Sequence, residues 1–425
     1  MKVLIITYYW PPSGGSGVQR WLKFVKYLTQ FGIEPVVYTV DEPNYAIEDI
    51  TLENEVPKSV KVLKQPIKEP NDILKLFGNK NKKTSAGFLS ENPSFFGKIM
   101  QYVRANYFIP DARKFWVKPS VTYLTEYLKN NPVDVIITTG PPHSLHLIGL
   151  QLKNKLGVKW IADFRDPWTD IDYFQKLPLT KKSEKKHHQL ENEVVSKADC
   201  VLVVGNTMKE NFLKFNKNVQ VITNGYDGDR NSSKNELDKK FTLVHVGLVN
   251  ADRNPKVLFR VLSELITENT SFAKDFKLVF VGKLANEVIE NLYQNNLKSH
   301  TEIIDYLPHK EVIGFQRKAQ ILLLLVNDVP SSKGIITGKI FEYLQSERPI
   351  LAIGPEDGDL SDILSETSSG EVIDFNDAYK MKRSIEKLYL DYQQNELISE
   401  TKNIDKYHRK ALTEELSIII KQLAS

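Results

Sequence analysis

Residues that can do chemistry are densest in the segment from Ser331 to Pro355, where glycines, a lysine and a glutamate follow one another closely. Backbone N–H groups between Gly334 and Gly338 can donate to phosphate oxygens at a helix start, and Lys339 adds a positive charge. Glu342 falls in the first helical turn, where the helix dipole stabilises a carboxylate whatever its role. Its position also suits two hydrogen bonds to ribose hydroxyls. The candidate nucleotide- and phosphate-binding residues are Gly334, Ile335, Ile336, Thr337, Gly338, Lys339 and Glu342.

A glycine-rich loop, Pro11 to Arg20, joins the first apolar run to an amphipathic segment. Its glycines let backbone N–H groups approach a phosphate or a sugar oxygen. The dinucleotide fingerprint needs a third glycine where Arg20 stands, which argues against NAD binding. A tight turn with Ser16 as helix N-cap is the structural alternative. The candidate residues of this loop are Gly14, Gly15, Ser16 and Gly17.

Two histidines, His143 and His146, follow the sequence Gly140-Pro141-Pro142. The prolines stiffen the loop and bring His143 to the start of the next predicted helix. An imidazole there can hydrogen-bond a polar ligand or stabilise charge that develops during a reaction. An ordinary histidine in a first helical turn explains the pattern equally well.

The segment DFRDPW follows the next predicted strand and adds Asp163, Arg165, Asp166 and Trp168. The guanidinium of Arg165 offers a planar fork for phosphate or carboxylate, and the aspartates can bind or polarise ligand hydroxyls. Trp168 joins Arg165 and His146 as a candidate ligand contact. The structural alternative is an Asp-Arg-Asp ion cluster that caps a turn.

Apolar runs alternate with amphipathic segments along the chain, which predicts parallel sheets with crossover helices. In the first half we expect strands at 2–7, 35–40, 133–138, 159–163, 200–204 and 219–223. In the second half we expect them at 241–246, 277–281, 303–306, 321–326 and 350–353. Each candidate segment then follows a strand at its carboxyl end, which is where open α/β sheets bind ligands.

Length and composition favour two soluble α/β domains. The chain has 425 residues, of which 26% are charged and 41% hydrophobic, and a net charge of +4 that is too small to indicate nucleic acid. The single cysteine, Cys200, favours a reducing cytoplasm, and no apolar run is long enough to span a bilayer. We predict a domain over 1–228 with an inserted region near 47–118 that includes the basic loop Lys75 to Ala86. A second domain covers 229–405, entered through the polar connection Asp229 to Lys240, and a final helix over 406–425 can pack back on the first domain.

These segments together resemble the nucleotide-sugar glycosyltransferases built from two Rossmann-like domains, close to the fourth family of retaining enzymes, also called glycosyl transferase group 1. The likeness runs over nearly the whole chain. It rests on the glycine-rich loop, TGPPHS, DFRDPW, the turn Asn224 to Asp227 and TGKIFEYL. The resemblance implies two parallel-sheet domains facing across a cleft, the GT-B type, with a UDP- or GDP-sugar donor in the second. It also implies acceptor-side groups in the first domain, for which the candidates are His146, Asp163, Arg165, Asp166 and Trp168. It also implies His143 as the active-site histidine and no metal or other cofactor.

Two positions depart from the family pattern. The family places an arginine directly after the glycine that ends the first strand of the second domain, where this chain has Leu248, and a lysine several residues later, where it has Arg253. Arg253, with Lys256 beside it, is then expected to compensate charge on the leaving diphosphate, although a surface cation at a helix start is the alternative. The family also has two glutamates separated by seven residues. Glu342 matches the second, but Gly334 replaces the first, which leaves the sugar contact unassigned.

Two other features bear on partners. His187 and His188 are adjacent and cannot share one helix face as ligands, so we predict no bound metal. The segment Phe95 to Phe108 alternates cations with apolar residues, which is compatible with a helix on a membrane surface, although core packing is the favoured interpretation. Membrane contact at the inner face would make lipid-linked acceptors plausible.

The predicted function is transfer of a sugar from a nucleotide-sugar to a glycan or lipid-linked acceptor, with retention, in cell-surface polysaccharide or glycoconjugate synthesis. The alternatives are a nucleotide-sugar epimerase, which needs a fuller set of acid and base carboxylates, and a non-catalytic sugar- or nucleotide-binding relative. Release of the nucleotide indicates transfer, interconversion of the intact donor indicates an epimerase, and binding without turnover indicates the non-catalytic relative.

Overall fold

The computed structural model describes residues 1–41, 43, 45, 47–67, 95–228, 236–305, 307 and 309–425, without the side chains of residues 96, 309 and 310. The predicted basic loop Lys75 to Ala86, residues 68–94 of the predicted insertion and the first part of the predicted connection Asp229 to Lys240 lie outside these residues. The chain divides into two compact units. Unit 1 comprises Met1–Asn224 with Arg409–Ser425, and unit 2 comprises Gly225–His408.

Unit 1 is built on a seven-stranded parallel sheet. Its strands are β1 (Lys2–Ile6), β2 (Glu34–Asp41), β3 (Lys61–Pro66), β4 (Val135–Gly140), β5 (Lys159–Phe164), β6 (Cys200–Val203) and β7 (Val219–Val221). They lie in the order β3-β2-β1-β4-β5-β6-β7. Central β1 is buried on both faces: Leu4 and Ile6 enter one apolar cluster, and Val3 and Ile5 enter another.

Helices cover the sheet of unit 1. They are α1 (Ser16–Leu28), α2 (Phe95–Tyr107), α3 (Lys114–Asn130), α4 (Ser144–Leu156), α5 (Lys181–Lys197), α6 (Asn206–Leu213) and α14 (Arg409–Ala424), the last of which comes from the far end of the chain. In α1 the apolar residues Val18, Leu22 and Val25 repeat at helical spacing and are buried. Gly15 occupies the N-cap position with a φ of 80°, and Ser16 is the first helical residue. Ser16 is therefore not the N-cap that the structural alternative for this loop expected.

Unit 2 repeats the plan with a six-stranded parallel sheet. Its strands are β8 (Phe241–Val246), β9 (Phe276–Val281), β10 (Thr301–Ile304), β11 (Ile321–Leu325), β12 (Ile350–Ile353) and β13 (Gly370–Ile373), in the order β10-β9-β8-β11-β12-β13. The helices are α7 (Lys256–Glu268), α8 (Thr270–Asp275), α9 (Asn286–Gln294), α10 (His309–Lys318), α11 (Lys339–Ser346), α12 (Asp359–Thr367) and α13 (Ala378–Gln393). The two parallel-sheet α/β units confirm the predicted fold class.

Each sheet has one place where the strand order reverses. In unit 1 it lies between β1 and β4, and in unit 2 between β8 and β11. The connections from these strands leave in opposite directions, which opens a crevice at their carboxyl ends. The predicted loops after β1, β4, β8 and β11 lie at these two switch points.

Candidate functional site

The loop after β1 is fastened to the end of β4 by Arg165. Its Nη1 donates to the carbonyl of Gly17 (2.6 Å), its Nε to that of Gly140 (3.3 Å) and its Nη2 to that of Pro141. The guanidinium also lies 5.7 Å from the ring centre of Tyr9. The fork expected to bind a phosphate or carboxylate is thus directed at three main-chain carbonyls, and it fixes the two loops of the switch point together.

Different structural constraints favour glycine at the different positions of this first loop. Gly15 adopts a φ of 80°, which L-residues rarely take, while a side chain there would meet open space. Gly17 is crowded, because a β-carbon would lie 3.2 Å from the ring of Tyr9. Gly14 donates its N–H to the carbonyl of Ile47 (2.9 Å). The space at Gly15 therefore leaves this part of the loop open to a ligand.

Asp163 lies at the end of β5 and pairs with Arg20 of α1. The two are buried, with 2.8 Å between Arg20 Nη2 and Asp163 Oδ1, and Asp163 Oδ2 accepts from Trp21 Nε1 (2.7 Å) and Thr139 Oγ1 (2.8 Å). Burial raises the pKa of Asp163, but Arg20 and these hydrogen bonds outweigh it and hold the pKa below its usual value. Both carboxylate oxygens are thus engaged inside the unit, whereas the Asp166 side chain is exposed.

His143 occupies the N-cap position of α4, with its ring stacked on Trp168. The ring centres are 4.9 Å apart and the planes differ by 9°. Burial lowers the pKa of His143 far below its ordinary value, and His146 and Arg165 add to the effect. The imidazole is therefore neutral at physiological pH. It can donate or accept a hydrogen bond but does not bring a positive charge.

His146 lies deeper than His143 and is fully buried. Its Nδ1 pairs with Thr138 Oγ1 (2.9 Å) and its ring stacks on Phe164 at 4.4 Å. Burial lowers the pKa of His146 to about 3. A β-carbon at Gly140 would lie 2.5 Å from His146 Nε2 and 2.8 Å from His143 Nδ1, so glycine at this position makes room for both rings. The structure places His146 in the core beneath His143.

In unit 2 the side chain of Lys339 crosses the end of β8. A β-carbon at Gly247 would overlap the Lys339 side chain, and Gly247 has a φ of 112° that also favours glycine. Burial lowers the pKa of Lys339 to about 8; Arg253 adds to the effect and Glu342 opposes it. Lys339, from the start of α11, thereby reaches the first strand of the unit.

Arg253 and His245 complete this group around the end of β8. Arg253 Nη1 donates to the carbonyl of Leu248 (3.4 Å). His245 is fully buried, its Nδ1 bonds the carbonyl of Leu323 (2.9 Å), and burial with Lys339 and Arg253 lowers its pKa far below the ordinary value. Two cations and one neutral imidazole therefore gather at the switch point of unit 2. Lys256 is exposed at the start of α7.

Glu342 lies in the first turn of α11, as predicted. The side chain is half-buried, and its Oε2 accepts a hydrogen bond from Gln316 of α10 (3.1 Å). Before it, Gly334 ends a short 3₁₀ turn, and Ile335, Ile336 and Thr337 lead half-buried to exposed Gly338. The next side chain, Tyr343, holds α11 on the sheet, because its hydroxyl accepts from the N–H of Val246 (2.9 Å).

The residues that were not predicted from the sequence are those whose partners lie far away along the chain. Arg20 was noticed only as a misfit to the dinucleotide fingerprint, yet it lies 143 residues from its partner Asp163. The close approach of Lys339 to Gly247 and the nearby buried His245 were not predicted. The two φ-positive glycines that end β8 and β9, Gly247 and Gly282, follow apolar runs in the sequence and were the available signal.

Among the residues that the structure describes, no group of three or more His, Cys, Asp or Glu side chains is arranged to hold a metal ion. Within the same residues, none of the helices combines the length and apolarity needed to cross a bilayer.

Comparison with solved structures shows the fold. Glycosyltransferase from Rickettsia africae ESF-5 is similar over 99% of this chain and 98% of its own, with 16% identity and a TM-score of 0.62. A mutant of TarM from S. aureus, solved in complex with fondaparinux, α-GlcNAc-glycerol and UDP, is 13% identical with a TM-score of 0.61 over 99% of both chains. A putative UDP-N-acetylglucosamine 2-epimerase from Listeria monocytogenes is 13% identical with a TM-score of 0.55, over 99% of this chain and 96% of its own.

Sequence comparison supplies the family. No curated protein matches the chain. The model for Glycosyltransferase Family 4 matches residues 87–230, and that for Glycosyl transferases group 1 matches residues 227–410. These two adjoining matches cover most of both units. Together they span residues 87–410 and show that the chain belongs to the group 1 glycosyltransferases.

Proposed function

We propose that this glycosyltransferase moves a sugar from a UDP- or GDP-sugar to a glycan or lipid-linked acceptor, with retention at the anomeric carbon, in the synthesis of cell-surface polysaccharide or glycoconjugate. The observation that carries the proposal is the pair of cations, Lys339 and Arg253, at the switch point of unit 2, with Glu342 one turn into α11. Cations suit a diphosphate, and a carboxylate suits ribose hydroxyls.

Unit 2 holds the donor in this proposal. The N–H groups of Gly334 and Ile335 already donate to the carbonyls of Ser331 and Ser332. Backbone N–H groups of residues 336–338 and the positive end of α11 therefore bind the diphosphate, and Glu342 accepts from the ribose. As the bond from the anomeric carbon to the phosphate oxygen breaks, negative charge grows on the leaving diphosphate. Lys339 and Arg253 stabilise that charge, which is the interaction that accelerates transfer. Exposed Lys256 and the loop 14–17 are secondary candidates for phosphate contact.

Unit 1 supplies the acceptor-side groups. The acceptor oxygen bonds to the anomeric carbon on the face that the phosphate leaves, and its proton passes to the leaving phosphate oxygen, so no protein base is obligatory. Neutral His143 binds the transferred sugar, and exposed Asp166 orients the acceptor hydroxyl. Four side chains support this region through their contacts within unit 1: those of Asp163, Arg165, His146 and Trp168.

We also propose that unit 1 contacts a membrane surface through α2. Phe95, Ile99 and Tyr102 are exposed and fall on one helix face by their spacing of four and three residues, and Tyr107 is 65% exposed. Lys98 and Arg104 are exposed on the same helix, which contains no acidic residue. Core packing, the interpretation favoured from the sequence, does not describe these apolar side chains.

The test of the donor site is a panel of UDP- and GDP-sugars with the purified chain. Wild type is expected to release UDP or GDP from one donor, slowly with water and faster with an acceptor. Glu342→Ala is expected to weaken nucleotide affinity about tenfold or more, because a charged hydrogen bond contributes about 1.5–3 kcal/mol. Isothermal titration with UDP and GDP measures the affinity.

The matched control is Glu290→Ala, an exposed glutamate on α9 of the same unit. Equal nucleotide affinity in both variants would remove Glu342 from the site. Interconversion of the intact donor without nucleotide release would indicate an epimerase, and binding without either reaction a non-catalytic relative.

A further inference from the structure

Helix α5 buries a polar stripe that the proposed reaction does not use. Its buried side chains, Ser183, His187, Glu191, Val194 and Val195, recur at helical spacing, and most of its other residues are exposed or half-buried and polar. His187 and Glu191 are 5% and 6% exposed. Burying an imidazole and a carboxylate is costly unless each has hydrogen-bond partners, so the contacts of this pair need a reason.

Glu191 holds the main chain at Trp168. Its Oε1 accepts from the N–H groups of Trp168 and Thr169, both at 3.2 Å, and its Oε2 accepts from the hydroxyl of Thr169. Burial raises the pKa of Glu191, and the hydrogen bonds from Thr169 and Trp168 oppose that effect. The carboxylate thus fixes the backbone of the segment from which the Trp168 side chain projects.

His187 holds the indole of Trp168. The indole Nε1 can only donate, and it lies 3.0 Å from His187 Nδ1, so His187 accepts there and carries its proton on Nε2. Burial lowers the pKa of His187 to about 4, with His188 adding to the effect and Asp111 opposing it. His187 is therefore a fixed, neutral acceptor across the physiological range. It determines how the indole plane is rotated.

The indole in turn is what lies against His143. The two rings are 4.9 Å apart and nearly parallel, whereas Phe164 is tilted by 31° at 5.9 Å. The buried His143 Nδ1 has no hydrogen-bond partner among the described residues. Among the described residues, no hydrogen bond to a ring nitrogen orients the imidazole of His143. Stacking on Trp168 is then the contact that sets the plane of this ring.

We propose that Trp168 is a positioning residue for His143, and that His187 and Glu191 of α5 hold Trp168 in that position. The consequence for turnover rests on the proposed function, in which His143 binds the transferred sugar. A hydrogen bond from the ring helps catalysis only when its nitrogen points at the reacting centre, and misplacement by about 1 Å costs on the order of a hundredfold. A helix with no substrate contact of its own thereby influences the chemical step.

The experiment compares Trp168→Leu, which removes stacking, with Trp168→Phe, which keeps a ring but loses the bond to His187. The full chain is labelled with ¹⁵N-histidine, and two-bond proton–nitrogen spectra report both ring nitrogens of His143, assigned with His143→Gln. In Trp168→Leu the His143 pKa is expected to rise towards 6.5 as water reaches the ring. Trp168→Phe keeps a stacking ring but loses the hydrogen bond that fixes the rotation of that ring, so its His143 signals are expected to shift in the same direction by less. Trp116→Leu, a buried tryptophan elsewhere in the unit 1 core, controls for general loosening.

Turnover is measured with the UDP- or GDP-sugar that wild type consumes. Trp168→Leu is expected to lose tenfold or more in kcat with KM within about twofold, and His187→Leu to fall in the same direction. Unchanged His143 signals in Trp168→Leu, or equal changes in Trp116→Leu, overturn the proposal. If wild type consumes no sugar nucleotide, the proposed function fails, while the nitrogen spectra still decide whether Trp168 positions His143.

Discussion

Lys339 is the central cation of the proposed donor site. Its aliphatic stem lies over Gly247, and its amine is close enough to Arg253 for the two charges to oppose each other. Protonating Lys339 is correspondingly difficult, and its pKa falls to about 8. A bound diphosphate would reverse this balance, because its negative charge favours the ammonium form.

Nucleotide affinity is therefore expected to depend on pH through Lys339. Below pH 8 the amine is charged and binds the diphosphate, and as the pH rises from 7.5 to 9 it loses the proton, so affinity for UDP or GDP should fall. In Lys339→Gln the affinity should be lower at pH 7, by about tenfold for the loss of a charged contact, and flat over that range. Isothermal titration at several pH values measures both effects.

Two further variants sharpen this prediction. Lys339→Gln combined with Leu248→Arg introduces a cation where the family has one, and it should restore affinity without the pH dependence. Lys387→Gln, at an exposed lysine on α13, should behave like wild type. A wild-type affinity that stays constant between pH 7.5 and 9 would contradict the assignment.

At the residue scale, sequence reasoning identified residue types better than partners. The stretch around Lys339 and Glu342 can be recognised from the sequence, because glycines, a cation and a first-turn carboxylate occur within nine residues. Asp163 was predicted beside Arg165, but its ion pair is with Arg20 from another element. Such pairing depends on which strands become neighbours in the sheet, and a single sequence contains no local signal for it.

At the scale of the elements, strands that are buried on both faces were predicted well. β8 and β12 have the predicted bounds, because both are mostly apolar, are buried on both faces and are followed at once by a glycine, Gly247 and Gly354. β3 was missed: it lies at the sheet edge, only Leu63 of its residues is buried, and it ends in Pro66. An edge strand lacks the apolar run from which strands were recognised.

Helix α2 carries the prediction that belongs to the element scale. Its exposed Phe95, Ile99 and Tyr102, with Lys98 beside them, match a helix lying in the surface of an anionic membrane. The chain should float with vesicles containing phosphatidylglycerol more than with pure phosphatidylcholine, and less at high salt. Ile99→Ser with Tyr102→Ser should reduce binding about tenfold or more, since a buried apolar side chain contributes about 1.5–3 kcal/mol.

Tyr379→Ser is the control, because Tyr379 is 73% exposed but lies in unit 2. Equal flotation with both lipids, or equal binding by the double variant and wild type, would refute the membrane contact.

At the scale of the whole molecule, the two ends of the described chain meet in unit 1. Helix α14 packs on α1, and its Leu412, Leu416 and Ile420 enter the same apolar cluster as Trp21 and Leu22. Unit 2 is thus an interruption of unit 1 in sequence. The strand pattern predicted two sheets, but a single amphipathic helix after the last strand has no sequence feature that assigns it to either.

Leu416→Ala should therefore destabilise unit 1 selectively. The side chain is fully buried, and removing such a leucine typically costs about 2–5 kcal/mol. Ile418→Ala, at a half-exposed position on the same helix, should cost far less. Urea unfolding followed by hydrogen exchange resolves the units, and protection should fall in β1 and α1 while β8 and β11 keep theirs. Equal losses in both sheets would contradict this assignment of α14.

The placement of α14 also sets an order of events during synthesis. A ribosome that has completed residue 224 must still translate all of unit 2 before the residues of α14 emerge. At about 5–20 residues per second this interval lasts on the order of 10 to 40 seconds. Throughout it, the surface of α1 that will receive Leu412, Leu416 and Ile420 has no cover from that helix. Unit 1 is then completed only after unit 2, and the nascent chain offers chaperones an apolar target at α1 until the residues of α14 emerge.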